Sequence, residues 1–500
     1  MKFKVETYAI EAGRPIVIMN FEDAKELGVY VSDRIEISFN GHKTVALIDL
    51  TRSLIKEGSI GVSEDVMSIL NVEEGDKVEV RPTQRPESID YIKKKIKGGV
   101  LQKNEIRTIM HDIVGNKLSD IELSAFVTAG YINGYNMDEI VALTNAMVET
   151  GQQIDFGDDI VDKHCIGGVA GNRTTLLIVP IIAAAGLTIP KTSSRAITSP
   201  SGTADTMEVL AKVEFRIDEL KDIVNRIGAC IIWGGALNLA PADDRIIRAE
   251  YPLSIDPEGQ VLASVMAKKK SVGSDYVLID IPVGKGAKIT EMDTANNMAK
   301  KFIELGKRLG MYVECLITDG SAPIGAGIGP ALEARDCLAA LQNKGPIDLI
   351  NKSLDLSGIL LELSGKIRKN RGRETAEKIL STGKADKKMR EIIEAQGGDP
   401  KIKPEDIELG KKTHTVKAEN KGDVRCIDNK RISQVARSTG APKDASAGVY
   451  LHVKVGDRVK VGSPLFTIYA KNSSKLEGAV RLTEQLQPIM IGGVILNTLK

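Results

Sequence analysis

The sequence predicts a multidomain α/β protein: a β-rich N-terminal module, a small all-α domain, a large α/β domain and a C-terminal β domain of barrel-sandwich type. Three observations predict this. A chain of 500 residues exceeds what one hydrophobic core serves and fits about three domains at roughly 100–200 residues each. The periodicity of apolar residues changes along the chain, from alternating to helical, then to short apolar runs separated by helices, then back to alternating. A composition of 42% hydrophobic and 27% charged residues is that of a folded globular chain and excludes wholesale disorder, a coiled-coil rod or a collagen-like fibre.

Residues 1–84 carry an internal duplication. Leu27, Val29, Asp33, Arg34, Ile35, Glu36 and Ile37 recur about 43 positions on as Leu70, Val72, Asp76, Lys77, Val78, Glu79 and Val80. Each copy reads as a short helix, a turn and an alternating strand, and the pair resembles the swapped-hairpin and double-psi barrels at the front of some archaeal ATPases. Exposed strand edges would make this module a docking surface. Arg81-Pro82-Thr83-Gln84-Arg85-Pro86 reads as a linker, because two prolines in six residues stop regular structure.

Residues 85–151 form the small helical domain, completed by a later segment. Ser119-Asp120-Ile121-Glu122 is a capping box, and Met137-Asp138-Glu139 opens a helix whose Ile140, Leu143 and Met147 share a face. Residues 152–410 alternate helices with strands such as Cys230–Trp233, Val277–Val283 and Tyr312–Ile317. In residues 411–500, Val449, Leu451, Val453 and Val455 alternate, Gly456-Asp457 turns, and Val459–Ile468 follows as a second strand. This hairpin is similar to the barrel-sandwich of lipoyl and biotinyl domains. Lys471 lacks the flanks of a carrier lysine, so the tail reads as scaffold.

Lys plus Arg at 68 against Asp plus Glu at 67 leaves a net charge of +1, which offers no field for nucleic acid, so any anion site is local. No leader is evident, and the apolar stretch Leu176–Leu187 is shorter than the roughly 20 residues of a membrane span. A cytoplasmic protein is expected, with no membrane partner. Cys165, Cys230, Cys315, Cys337 and Cys426 show no C-x-x-C spacing and read as reduced thiols. The basic run Lys366–Arg373 has no interleaved aromatic residue and reads as an exposed turn, Trp233 as core, and Lys268-Lys269-Lys270 as a partly solvated helix end.

Chemistry concentrates in two segments. Asp162-Lys163-His164-Cys165-Ile166-Gly167-Gly168-Val169-Ala170-Gly171-Asn172-Arg173-Thr174-Thr175 runs into an apolar helix expected over Leu176–Gly186. Its glycines let backbone N–H groups turn toward a ligand, while Lys163, Arg173, Thr174 and Thr175 surround a helix N-terminus that favours anions. No Gly-Lys-Ser/Thr ends it, so it is not a Walker A loop, and a plain tight turn has the same composition. The second segment runs from Thr192 to Asp205, ahead of a helix expected over Thr206–Lys212, and carries Arg195 and seven Ser or Thr hydroxyls. Arg195 suits a two-bond grip on phosphate; a serine-rich surface loop is the alternative. Both segments follow short strands, whose carboxyl ends gather ligands in open α/β sheets. Together they suggest two phosphate groups in one cleft.

Asp162-Lys163-His164 with Gly167-Gly168, then Ser194-Arg195 with Gly202-Thr203, Asp205 and Glu208, then Asn238-Leu239-Ala240-Pro241-Ala242-Asp243 resemble, in order, the motifs of the thymidine and pyrimidine nucleoside phosphorylase family. The resemblance extends from about residue 88 to the end. It implies a small α domain hinged to a larger α/β domain, homodimers through the α domain, and phosphorolysis of an N-glycosidic bond with inorganic phosphate as co-substrate and no metal or organic cofactor.

The chain departs from the pyrimidine enzymes in three places. Cys165-Ile166 replaces Ser-Thr, Thr198-Ser199-Pro200-Ser201 replaces Gly-His-Thr-Gly, and Ala249 stands where an arginine meets the pyrimidine, with Arg248 one residue off. With the added N-terminal module and Lys288 in place of an aromatic residue, these departures resemble the archaeal AMP phosphorylase branch, which converts AMP and phosphate to adenine and ribose 1,5-bisphosphate. That resemblance implies that Ser194, Arg195, Ala196, Ile197, Thr198, Ser199 and Thr203 hold the nucleotide's 5'-phosphate, with Gly168, Ser264 and Lys288 against the nucleotide. Lys163, Thr174 and Ser193 are left for the attacking phosphate. CMP and UMP are further candidate substrates. A pyrimidine nucleoside phosphorylase and a non-catalytic nucleotide-sensing assembly protein are the alternatives, and the N-terminal module is expected to build higher-order homo-oligomers.

Asp256, Gln260, Ser264 and Lys268 recur every four residues and climb one face of a helix opened by Pro257, where they can line a cleft. Asp256 suits the N-cap of that helix. The resemblance gives it a second role, proton donor to the departing base, which demands a proton kept at neutral pH by burial or by neighbouring phosphates. His164 is the rival acid, with an ordinary pKa near 6.5, or else a structural residue of the Lys163 loop.

Overall fold

The computed structural model describes residues 1–10, 13–83 and 85–492. They form two compact units: Met1–Gln152 with Ala240–Ala267, and Gln153–Leu239 with Lys268–Lys500.

In the first unit, β1 (Lys2–Thr7), β2 (Ile16–Asn20), β3 (Arg34–Phe39), β4 (His42–Thr51), β5 (Ser59–Val62) and β6 (Lys77–Pro82) close a barrel in the order β1-β5-β2-β4-β3-β6. The duplication is visible in the pairing. Ile37 lies opposite Val80, its own counterpart, and the pairs Val17–Val62 and Met19–Ile60 exchange under the same offset. Helices Phe21–Leu27 and Glu64–Leu70 end at the left-handed Gly28 and Asn71. Asp33 then accepts the Tyr30 N–H at 2.8 Å and Asp76 the Glu73 N–H at 2.9 Å, so the same side-chain turn feeds each following strand. Phe3, Val5, Met19, Ile35, Ile37, Val78 and Val80 fill the interior.

Closure corrects two expectations. A closed barrel has no free edges, so the module does not offer the edge strands foreseen as its docking surface. Nor is Arg81–Pro86 a linker throughout: β6 runs to Pro82, opposite Ile35, because a proline at a strand end costs the ladder little, and the next helix starts at Ser88. Gln84 of that segment lies outside the described residues. Arg14 pairs with Asp120 at 2.5 Å and Arg34 with Glu122, tying the barrel to the helices.

Helices Ser88–Ile96, Lys103–Val114, Asp120–Asn133 and Met137–Glu149 follow. Ser119 with Glu122 and Asn136 with Glu139 form capping boxes. Glu139 is buried and takes the Lys95 ammonium at 2.7 Å and the Leu101 N–H at 2.9 Å, while Ile140, Leu143 and Met147 are buried beneath it. Helix Pro241–Leu253 packs on this bundle, with Arg245 donating to the Ile113 carbonyl at 2.5 Å.

The second unit holds a parallel sheet of β7 (Val161–Cys165), β8 (Ile189–Ser193), β9 (Ala229–Trp233), β10 (Tyr276–Val283) and β11 (Tyr312–Asp319). Strands β11-β10-β7 and β8-β9 are joined by one bridge between Ile160 and Thr188. The chain leaves β7 for β8 and β9, then returns to β10 on the other flank of β7. The carboxyl end of β7 is therefore the switch point of the sheet, where such folds bind ligands. Helix Thr175–Ala184 is apolar all round because it is buried all round, among Leu338, Leu356, Leu360 and Ile393.

Beyond it, β12 (Gly327–Ile328), β13 (Lys412–Lys417), β14 (Gly422–Ile427), β15 (Gly448–Leu451), β16 (Arg458–Val459), β17 (Pro464–Ala470) and β18 (Ile489–Gly492) form two sheets, β12-β15-β17-β13 and β16-β14-β18. The strand expected over Val459–Ile468 is two strands, one in each sheet. They are separated by a turn in which Gly462 takes φ +83° and the Ser463 N–H meets the Lys460 carbonyl at 3.0 Å. Residues 493–500 of the C-terminal domain lie outside the described residues. Among the described residues, no helix is long and apolar enough to cross a membrane.

Candidate active site

Strand β7 carries Lys163 to the switch point. Lys163 is 2% exposed, donates to the Thr174 hydroxyl at 2.9 Å and lies 3.8 Å from the Asp280 carboxylate. Asp280, on β10, also meets Lys352 at 3.1 Å and accepts the Thr318 hydroxyl at 2.6 Å. Asp162, fully buried, takes Lys191 at 3.0 Å and Lys269 at 2.6 Å. Four lysines thus face two aspartates in a nearly dry setting. Burial pushes Lys163 and Lys191 below the usual lysine range, as expected of cations short of counter-charge. Burial alone would raise Asp162, but Lys191 and Lys269 outweigh it and hold the carboxylate down. Such a cluster is chemically suited to a dianion, which would add counter-charge beside Lys163 and Thr174.

His164 sits next to this cluster. Burial, then Lys269, Lys191 and Lys163, hold its imidazole well below 6.5, which disfavours the imidazolium that a general acid working near pH 7 would use. That weakens it as the rival acid.

The glycine loop brings two expected residues together. Gly168 has φ +89°, and a Cβ there would lie 2.3 Å from the Lys288 backbone nitrogen; only glycine allows this approach. Asn429, fully buried, braces the loop by accepting the Ala170 N–H at 3.0 Å and donating to the Gly320 carbonyl at 2.9 Å. Arg173 does not surround the anion position as expected. It turns to the buried Glu333 and donates to the Ser201 carbonyl at 2.7 Å, since a guanidinium leaving water takes the nearest carboxylate.

The second segment differs from expectation in two respects. Its helix is Thr203–Glu208, starting three residues early, because Asp205 accepts the Gly202 N–H at 2.8 Å and closes the first turn. Arg195 grips carboxylates: Glu208 at 2.5 and 2.8 Å, Glu214 at 2.9 Å and Asp205 at 3.5 Å, with its guanidinium 4.8 Å above the Trp233 ring. Trp233 is therefore both an edge of the core and a cation platform. Ser194, Ile197, Thr198 and Ser199 are exposed, and Thr203 is half-buried. The Ala196 N–H is taken by Asp205 at 2.7 Å, the Ile197 carbonyl by Arg437 at 2.6 Å, and the Ser193 hydroxyl by the Ile232 carbonyl at 2.8 Å.

Asp256 and Ser264 belong to the first unit. Asp256 is exposed, so burial does not shelter it. Ser264 donates to Asp243 at 2.8 Å. Gln260, which the four-residue spacing put on a cleft-lining face, is 1% exposed and bonds the Tyr135 hydroxyl at 3.3 Å. Lys269, expected at a solvated helix end, is 2% exposed on Asp162.

Sequence reasoning missed Lys191, Lys269, Asp280, Lys352, Glu333 and Asn429. A signal existed for Asp280, a lone charge inside the apolar run Val277–Val283. The others become visible only through their partners. Among the described residues, no group of three or more His, Cys, Asp or Glu side chains is placed to hold a metal ion.

Residues 89–151 match the glycosyl transferase family helical bundle domain, residues 157–386 the α/β domain of that family, and residues 424–489 the C-terminal domain of pyrimidine nucleoside phosphorylases. Fold and sequence thus place the protein in the glycosyl transferase class that joins these three domains. An AMP phosphorylase from Thermococcus kodakarensis is 54% identical over 99% of both chains, one from Pyrococcus furiosus 52% identical over the whole of both, and AMP phosphorylase 1 from Archaeoglobus fulgidus 50% identical over 99% of both. The chain belongs to the AMP phosphorylase family. Anthranilate phosphoribosyltransferase from Thermus thermophilus shares the fold, with a TM-score of 0.53 and 18% identity over 61% of this chain and 99% of its own.

Proposed function

We propose that the protein is a phosphorolytic pentosyltransferase that cleaves AMP with inorganic phosphate, releasing adenine and ribose 1,5-bisphosphate. The observation that carries this is the pair of anion cradles at the carboxyl ends of β7 and β8, in a chain half identical to AMP phosphorylases. In this reading Lys163, Thr174 and Ser193 hold the attacking phosphate. The loop Ser194–Ser199 with Thr203 holds the 5'-phosphate, and Gly168, Ser264 and Lys288 face the nucleotide. Phosphate oxygen attacks C1' on the face opposite the base as the C1'–N bond breaks through an oxocarbenium-like state. Asp256 protonates the departing adenine. Monohydrogen phosphate loses a proton on becoming an ester, which balances the one adenine takes. The scheme uses no metal or organic cofactor.

Incubating the protein with AMP and phosphate should release adenine. Release of base from uridine or thymidine but not from AMP would make it a pyrimidine nucleoside phosphorylase, and AMP binding without phosphate-dependent product would make it a sensor. Asp256→Asn should lower kcat by about 10²–10⁴ with AMP binding retained. If His164→Asn abolishes turnover and Asp256→Asn does not, the donor is His164.

The same reading extends to surroundings. The C-terminal sheets serve as a lipoyl-like scaffold that braces the site loops through Asn429 and Arg437. Homodimers form through the helical domain, whose helix Asp120–Asn133 exposes Ile121, Tyr131 and Ile132. Larger homo-oligomers form through the barrel, which exposes Tyr30, Val31 and Leu54. The protein works in the cytoplasm.

A further inference from the structure

The two cradles share one buried ion pair. Arg173 follows the glycine loop and precedes Thr174, whose hydroxyl holds Lys163. Its Nε meets a Glu333 oxygen that also accepts the Thr206 hydroxyl at 3.0 Å, and its second nitrogen donates to the Ser201 carbonyl at 2.7 Å. The Ser201 and Thr206 hydroxyls lie 2.8 Å apart. Asp205 ties the Gly202 and Ala196 N–H groups together at 2.8 and 2.7 Å. Glu333 closes the circuit by accepting the Gly329 N–H at 3.2 Å. The Glu333 side chain is 1% exposed and that of Arg173 15%, so neither is a surface pairing that water can replace.

We propose that the Arg173–Glu333 pair couples the two cradles, so that filling one raises affinity at the other; this rests on their assignment to the attacking phosphate and the 5'-phosphate. An anion on Lys163 and Thr174 orders the segment around Arg173. Through Glu333 and Ser201 that order reaches the exposed Ser194–Ser199 loop, which then gives up less conformational freedom when the 5'-phosphate arrives. By linkage the effect is reciprocal. Both residues are positioning residues, since neither faces an anion.

Initial rates over a grid of AMP and phosphate concentrations read the coupling factor directly. The unmodified protein should show each substrate tightening the other by about fivefold or more. Glu333→Gln, which keeps the shape but removes the charge and replaces one of the two acceptor oxygens by a donor, and Arg173→Lys, which keeps the charge but loses the fork to Ser201, should each bring the factor close to one. With adenosine as the nucleoside the 5'-phosphate loop stays empty, so the KM for phosphate should already be the uncoupled value and should be the same in the variants. A factor of one in the unmodified protein overturns the proposal. So does a loss of phosphate affinity that is equal with AMP and adenosine, which marks general damage. Should Glu333→Gln fail to fold, Arg173→Lys and the unmodified protein still decide. If the unmodified protein releases no adenine at all, the assignment of the cradles falls, and the coupling with it.

Discussion

The two candidate cradles are built by different physical means. The one at β7 is dry and rich in charge: Lys163 and Thr174 are at most 2% exposed, and four lysines outnumber two aspartates. The one after β8 is wet and rich in hydroxyls, and its single arginine is held by three carboxylates. Buried lysines that outnumber their carboxylates stand to gain most from a dianion. A solvated loop gains less, because water already satisfies its hydroxyls. The contrast teaches that arginine and serine content alone does not locate the stronger anion grip.

The comparison breaks most visibly at Lys163. Lys163→Met should lower kcat/KM for phosphate by about 10²–10³, with AMP binding in the absence of phosphate little changed. Steady-state rates and AMP titration together check this, and a matching loss of AMP affinity would mean the dry cradle holds the nucleotide.

A smaller effect is expected at Arg195. Gripping a 5'-phosphate means leaving Glu208 and Glu214, so one set of charge-assisted bonds replaces another. Arg195→Ala should cost about tenfold in kcat/KM for AMP and little for adenosine. Equal losses on both would reduce Arg195 to a brace of the loop.

The smallest effect is on stability against pH. His164 is neutral in the fold but titrates near its ordinary value of 6.5 once unfolded, so below pH 6.5 the unfolded chain binds more protons and acidification destabilises the protein. Asp336, pushed up to about 6 chiefly by burial, acts the other way: between pH 6 and 3.8 the folded state binds the extra proton, and stability is gained as pH falls. Melting curves across this range should show His164→Gln flattening the acid loss and Asp336→Asn steepening it. The reverse pattern would mean that His164 is not the neutral, lysine-flanked group of the dry cradle.

Much of the architecture was legible because it is local. The offset of about 43 residues foretold two helix-turn-strand copies, since Asp33 and Asp76 turn the chain within three residues of themselves. The capping box at Ser119 and the helix start at Met137 needed only neighbours one turn away. The split of Val459–Ile468 was not legible, because alternation is the same whether a strand stays in one sheet or crosses to another. The candidate site was legible as positions and not as roles. The structure joins Lys163 to Thr174 and Gly168 to Lys288, whereas Arg173 and Arg195 turn to Glu333, Glu208 and Glu214, partners that composition cannot assign.

By itself the sequence determined which segments turn, which strands alternate and which loops carry glycine, hydroxyl and cation together, because those properties depend on residues a few positions apart. Tertiary structure alone decided which cations stay short of a counter-charge. Lys191, Lys269 and Lys352 are far along the chain from Asp162 and Asp280, and a buried charge is set by the neighbours that replace its water. The sheet's switch point at β7 brings those neighbours together, and so leaves one loop beside a dry cluster of lysines while the next stays solvated.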